Sequence, residues 1–238
     1  MSRTTCDSLP EPQARADLYH FLAAAYLGPL APAAVSFITS KGVLQELYGV
    51  LGSRAAAALK LLAAASRSAR GQGELRQEYM DLFAVPAGRY VTPFEDVYRG
   101  ASVERSLGPL LGERTIAVRR LYRDAGAIVD SDCRELPTHI GVELAFMSFL
   151  CAREAVVQSG TEDPSERVHP SFYRSLQLRF LREHLSAWFP QLSRAIQDKA
   201  SSELYRGLAQ LTEVVLERDA ARLIAEAPAG AAAPKAVH

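Results

Sequence analysis

The chain has 238 residues, about half of them apolar and about a quarter charged, enough for one sizeable helical or mixed core. Its 27 basic and 27 acidic side chains cancel, so no global field draws it to nucleic acid or to an anionic membrane. The three cysteines, Cys6, Cys133 and Cys151, are scattered, odd in number and without zinc or iron–sulfur spacing, which fits reduced thiols in a cytoplasmic protein.

The N-terminal MSRTTCDSLPEPQARADLY has no apolar signal core, and no stretch is expected to span a membrane. Residues 1–12 are expected to be flexible. From Gln13 to Leu27, Leu18, Phe21, Leu22, Ala25 and Tyr26 recur at spacings of three and four, one apolar helical face. Pro12 suits the first turn, and Gly28-Pro29 ends the run. Ala33–Lys41 and Val43–Leu51 read as short helices, punctuated by Gly42 and Gly52. Arg54–Ser68 reads as a longer one, rich in Ala and Leu. Glu74–Phe83 is amphipathic through Leu75, Tyr79, Leu82 and Phe83.

The stretch AVPAGRYVTPFEDVYRG has too many Pro and Gly residues for a helix, and too many aromatics for disorder. It is expected to be a loop packed onto the core. Its acids Glu95 and Asp96, with the earlier Asp81, could meet a cationic ligand or simply be solvated. The segment Gly100–Gly112 reads as a hinge, and Glu113–Ala125 as a helix.

Pro137–Gln158 reads as the central helix, apolar nearly all round. If it starts early enough, Glu135, His139 and Glu143 form one polar stripe, because residues four apart share a face. Four readings of that stripe compete. The polar groups satisfy each other or a helix end. They supply two metal ligands, with no third at a fitting spacing. They serve a hydrolase, although the usual nucleophile and phosphate-loop motifs are missing. Or they line a ligand or peptide cleft.

Pro170–Phe189 follows, with a break expected at Pro190, then Gln191–Lys199 and a long Glu203–Ala225. Within FLREHLSAWFPQL, His184 and the sole tryptophan, Trp188, stand four apart and suggest a stacked core pair. The tail from 226 to 238 is small, Pro-rich and expected to be disordered. No strand alternation is found. The fold class is all-α, a single compact helical domain over residues 13–225.

Three segments in order resemble the TorD/DmsD/NarJ family of redox-enzyme maturation chaperones. The first is Tyr79, Leu82, Phe83 and Pro86 with the following Pro93 and Tyr98. The second is Glu135, Pro137 and His139 running into Glu143, Leu144, Phe146 and Met147. The third is Phe180, His184, Leu185, Trp188 and Pro190. Two positions depart from the family. Thr138 stands where the family usually has Asp, and Asp96 where it often has Ser. An acid gained at 96 would offset the acid lost at 138, and Thr138 would still cap the central helix.

The resemblance implies a cytoplasmic, non-catalytic, all-helical chaperone without a cofactor or metal of its own. Its partner would be the apo catalytic subunit of a molybdopterin-dependent oxidoreductase, with its twin-arginine signal peptide. No nucleic acid and no stable membrane insertion is implied, and the protein would be a monomer or a dimer swapped about a hinge near Gly108. Glu135, Thr138, His139, Glu143, Asp96 and Tyr98 would line the client site, since carboxylates bind guanidinium in bidentate fashion. Neutralising Glu143 or truncating His139 would then weaken client binding. A NarJ-like assembly factor for a membrane-anchored reductase is the alternative within the family. A small helical enzyme using His139 and Glu143 as acid and base is the alternative outside it.

Overall fold

A computed structural model describes residues 11–68, 71–100, 110–128, 133–160 and 169–226. Those residues are helical throughout, apart from loops and one isolated bridge between Phe94 and His139. The expectations for residues 1–10, for the tail after Glu226 and for the hinge around Gly108 lie outside the described residues, as does Cys6.

The core is organised around α8 (Ile140–Ser159), of which Ile140, Leu144, Met147, Leu150 and Cys151 are fully buried. Along it lies α1 (Pro12–Leu27), which opens on Pro12, where a missing N–H costs nothing. Their axes come close at Gly141, where an added Cβ would stand 2.5 Å from Leu27 Cγ and 3.1 Å from the Ala23 carbonyl oxygen. Any side chain there would push the two helices apart.

After α2 (Pro32–Ile38) come α3 (Lys41–Leu51) and α4 (Ala56–Ala65), joined through a 3₁₀ turn at Gly52. Gly52 has φ +70°, a left-handed conformation natural to glycine at a helix end. By length and composition, segment 41–65 passes as a membrane span, contrary to the sequence reading. Its interruption at Gly52 and the packing of α4 against the long C-terminal α11 (Glu203–Glu226) mark it as part of the helical body. Gly207 of α11 makes that packing close, since a Cβ there would meet Leu62 Cγ at 2.9 Å.

Next come α5 (Gln72–Tyr79), α6 (Glu95–Arg99) and α7 (Glu113–Asp124), and after α8 come α9 (Pro170–Phe180) and α10 (Ser186–Lys199). Two π-helical turns interrupt this order, Met80–Ala84 after α5 and Leu181–Leu185 between α9 and α10.

Three sequence expectations need correction. The central helix begins at Ile140 rather than Pro137, so Glu135 lies outside it. Pro190 does not end a helix: it sits five residues into α10, where its missing N–H removes only the bond to the Ser186 carbonyl. The stretch after Pro86 does contain helix, the short α6, whose first turn carries Glu95 and Asp96 as a helix N-terminus favours.

A second polar centre, unforeseen in the sequence, ties α1 to α8, α9 and α11. The buried Arg15 guanidinium reaches Glu154 at 3.3 Å, Asp219 at 3.0 Å and the Gln177 side-chain oxygen. Tyr19 donates to Asp219 at 2.9 Å. Cys151 faces the same guanidinium, yet burial pushes its thiol well up and keeps it protonated.

Candidate functional site

The loop 90–94 and the N-terminus of α8 are stitched by backbone. Ile140 N–H donates to the Pro93 carbonyl at 2.8 Å, and Glu95 N–H to the Thr138 carbonyl at 2.9 Å. That short antiparallel pairing brings the first two sequence motifs together. The π-helical turn Leu181–Leu185 brings in the third, a device often found at functional sites. It sets His184 Nδ1 2.8 Å from Glu95 Oε2. One turn on, Trp188 lies against Tyr98, ring centroids 5.4 Å apart and tilted by 30°, and donates its indole N–H to Glu143 Oε2 at 3.0 Å.

His184 and Trp188 are both buried, as expected, but do not stack on each other. His184 stacks on Phe180 with centroids 5.0 Å apart. The sequence reading also missed Glu95 as the acid that receives His184. Glu95 accepts from Arg99 at 3.1 Å as well, and Arg99 donates onward to the Glu183 carbonyl. The four-residue spacing of Glu95 and Arg99 could have suggested that pair; nothing in the sequence joins Glu95 to His184.

His139 caps α8. Its Nδ1 accepts from Gly141 N–H at 3.0 Å and its ring meets Phe94 edge-on at 5.3 Å. Burial pushes its pKa down to about 4, so the ring is neutral at physiological pH. Thr138, expected to cap, does not: its hydroxyl donates to Asp96 Oδ2 at 3.1 Å, and Thr115 donates to the same oxygen at 2.5 Å.

Glu143 is fully buried, and its Oε1 has no hydrogen-bond partner among the described residues. Burial, then the adjacent Glu95 charge, raises its pKa well above the ordinary value, with Asp96 adding to the effect and the Trp188 bond opposing it. Burial and the neighbouring acids therefore favour its protonated form.

Of the six residues singled out in the sequence, Asp96, Thr138, His139 and Glu143 are buried with Glu95 and His184. Tyr98 is half-buried against Trp188, and Glu135 is exposed. Glu135 is near enough to the first motif that its charge adds to burial in pushing Tyr79 up to about 12. His139 and Glu143 have separate partners. No group of three His, Cys, Asp or Glu side chains among the described residues is placed to hold a metal ion. Asp81, by contrast, is partly exposed and pairs with Arg89 at 2.6 Å.

These features define an all-helical protein whose three motifs converge on one closed polar centre beneath an aromatic pair. The chain belongs to the nitrate reductase delta subunit family, whose model matches residues 51–194. It is similar to the perchlorate reductase assembly chaperone protein of Dechloromonas aromatica, 29% identical over 121 residues, which are 51% of this chain and 50% of that protein. In that match the chain spans only half of its relative's length. The selenate reductase assembly chaperone protein of Thauera selenatis is 31% identical over 144 residues, 58% of this chain and 67% of that one. The chaperone protein TorD of Shewanella loihica is 24% identical over 238 residues, covering 92% and 97% of the two chains. These relatives are named as chaperones.

Proposed function

We propose that this protein binds the apo catalytic subunit of a molybdopterin-dependent reductase in the cytoplasm and holds it until its cofactor is inserted. The observation that carries this reading is the agreement between relatives and fold. Several relatives are named for assembling perchlorate, selenate or chlorate reductase. The family motifs, far apart in the chain, form one contiguous centre.

The client's twin-arginine signal peptide is the proposed ligand of that centre. Its guanidinium groups call for acids and its apolar segment for an aromatic wall. Burial divides the roles among the six residues. Glu135, exposed beside the first motif, makes the direct charge contact, and Tyr98 supplies the wall. Asp96, Thr138, His139 and Glu143 are positioning residues that hold the 93–98 segment against α8.

A titration tests this. A synthetic twin-arginine signal peptide is added to the protein while the emission of Trp188 is followed, and the measurement is repeated with a twin-lysine peptide and with Glu135→Gln. Saturable binding, weakened by about tenfold in each altered pair, is the expected result. Equal binding in all cases would remove Glu135 from the site, and no binding would remove the signal peptide as ligand.

A further inference from the structure

The pair α3–α4 carries more apolar surface than the core uses. Segment 41–65 is as apolar as a membrane span, yet only 28% of its most apolar stretch is buried. Leu51, Ala55, Ala58 and Leu62 are buried in the core. Another stripe is open at all its positions but the partly buried Leu44 and Ala63 and the buried Leu59. Lys41, Leu44, Gln45 and Tyr48 of α3, at helical spacing, face Ala56, Leu59, Lys60 and Ala63 of α4 across a groove of about 660 Å³. Tyr48 is 52% exposed there.

The rim of the groove has one sign of charge. Lys41, Lys60 and Arg67 line it, and no acid does. Lys41 and Lys60 have no ion-pair partner among the described residues, while Arg67 is anchored to the Ala63 carbonyl at 2.7 Å. Glu46, the one acid in α3 and α4, lies off the lining stripe.

We propose that the α3–α4 groove docks an amphipathic helix of a protein partner, with its apolar face on Leu44 and Tyr48, over a floor closed by the buried Leu59, and acidic side chains toward Lys41, Lys60 and Arg67. Two helices that expose residues at matching spacing form ridges into which a third helix can interlock. The recessed floor between them suits a rod better than the flat surface of a bilayer. The cationic rim selects an acidic flank. This surface shares no residue with the Glu95–Glu143–His184 centre, and its test does not depend on that centre.

The probes are two fluorescent synthetic helical peptides of about 18 residues, long enough to fold on docking. They share one Leu/Ala face and differ in having Glu or Lys along the flanks. Fluorescence anisotropy with the full-length protein should show saturable binding of the Glu peptide. Lys41→Glu/Lys60→Glu, both at exposed positions, should weaken it about tenfold or more, and raising salt from about 0.05 to 0.5 M should weaken it several-fold. The Lys peptide should bind at least tenfold less tightly. Three results would overturn the proposal. The two peptides bind alike or the double variant changes nothing. Phosphatidylglycerol vesicles, and not the peptide, co-sediment with the wild type. Or sedimentation velocity shows a dimer that Tyr48→Glu abolishes, so that a second copy fills the groove.

Discussion

The hydroxyl of Thr138 donates to the carboxylate of Asp96 at 3.1 Å, with both residues buried. The family resemblance places an acid at position 138 and often a serine at 96; here the acid and the hydroxyl have changed places. One carboxylate and one hydroxyl thus meet at the junction of α6 and α8. The exchange withdraws that carboxylate from direct contact with a client arginine, because Asp96 is occupied by Thr138 and Thr115. Thr138→Asp alone should place two acids together and cost on the order of 3–5 kcal/mol. Asp96→Ser alone should cost about 1–3 kcal/mol by stranding two hydroxyls. The double exchange should recover most of both losses, read as non-additivity in urea denaturation.

Burial and the adjacent Glu95 and Asp96 favour the protonated form of Glu143. Because its folded pKa is raised, its contribution to stability is fully present below the unfolded pKa. It is lost as pH rises from there through the folded pKa. Glu143→Gln removes that slope while retaining a side-chain oxygen for the Trp188 indole. The variant should gain stability relative to wild type between about pH 5 and 8. It should bind client peptide as well as wild type does. Parallel unfolding curves at the two pH values would contradict a raised pKa.

His139 works in the opposite direction. Its folded pKa is lowered to about 4 against an unfolded value of 6.5, so stability present above the unfolded pKa is lost as pH falls through that window. The difference corresponds to about 3 kcal/mol at most. His139→Asn, which keeps an acceptor at the helix cap, should flatten the decline between about pH 6.5 and 4. Thermal unfolding across that range checks it.

The Arg15 centre is structural. Arg15→Met removes the cation that Glu154 and Asp219 share, while Arg174 stays with the first and Arg222 with the second, and should cost about 2–3 kcal/mol. Peptide binding at the Glu95–His184 centre should be unchanged wherever the variant remains folded, as judged by calorimetry and titration together.

Much of this architecture could be read in the chain before folding. Apolar spacing marked α1 and α11, Ala and Leu content marked α4, and an apolar surface nearly all round marked the central α8, while the family motifs marked the residues that meet around Glu95 and Trp188. The rest depends on tertiary geometry. Helical period placed Glu135, His139 and Glu143 on one stripe, but the Phe94–His139 bridge delays the helix and turns His139 into its cap. The π-helical turn shifts His184 toward Glu95, which no i,i+4 rule anticipates. Arg15, one polar residue in an otherwise ordinary amphipathic helix, gave no sign that Glu154 and Asp219 would surround it.

The central claim is tested most directly by isolating the tagged protein from its own source, grown under conditions that induce respiratory reductases. The co-purifying chains are identified by mass spectrometry, and their molybdopterin content is measured. The expected partner is a molybdopterin-dependent catalytic subunit that retains its N-terminal signal and lacks the cofactor. Recovery of no such subunit, or only of one already loaded with cofactor, would contradict it.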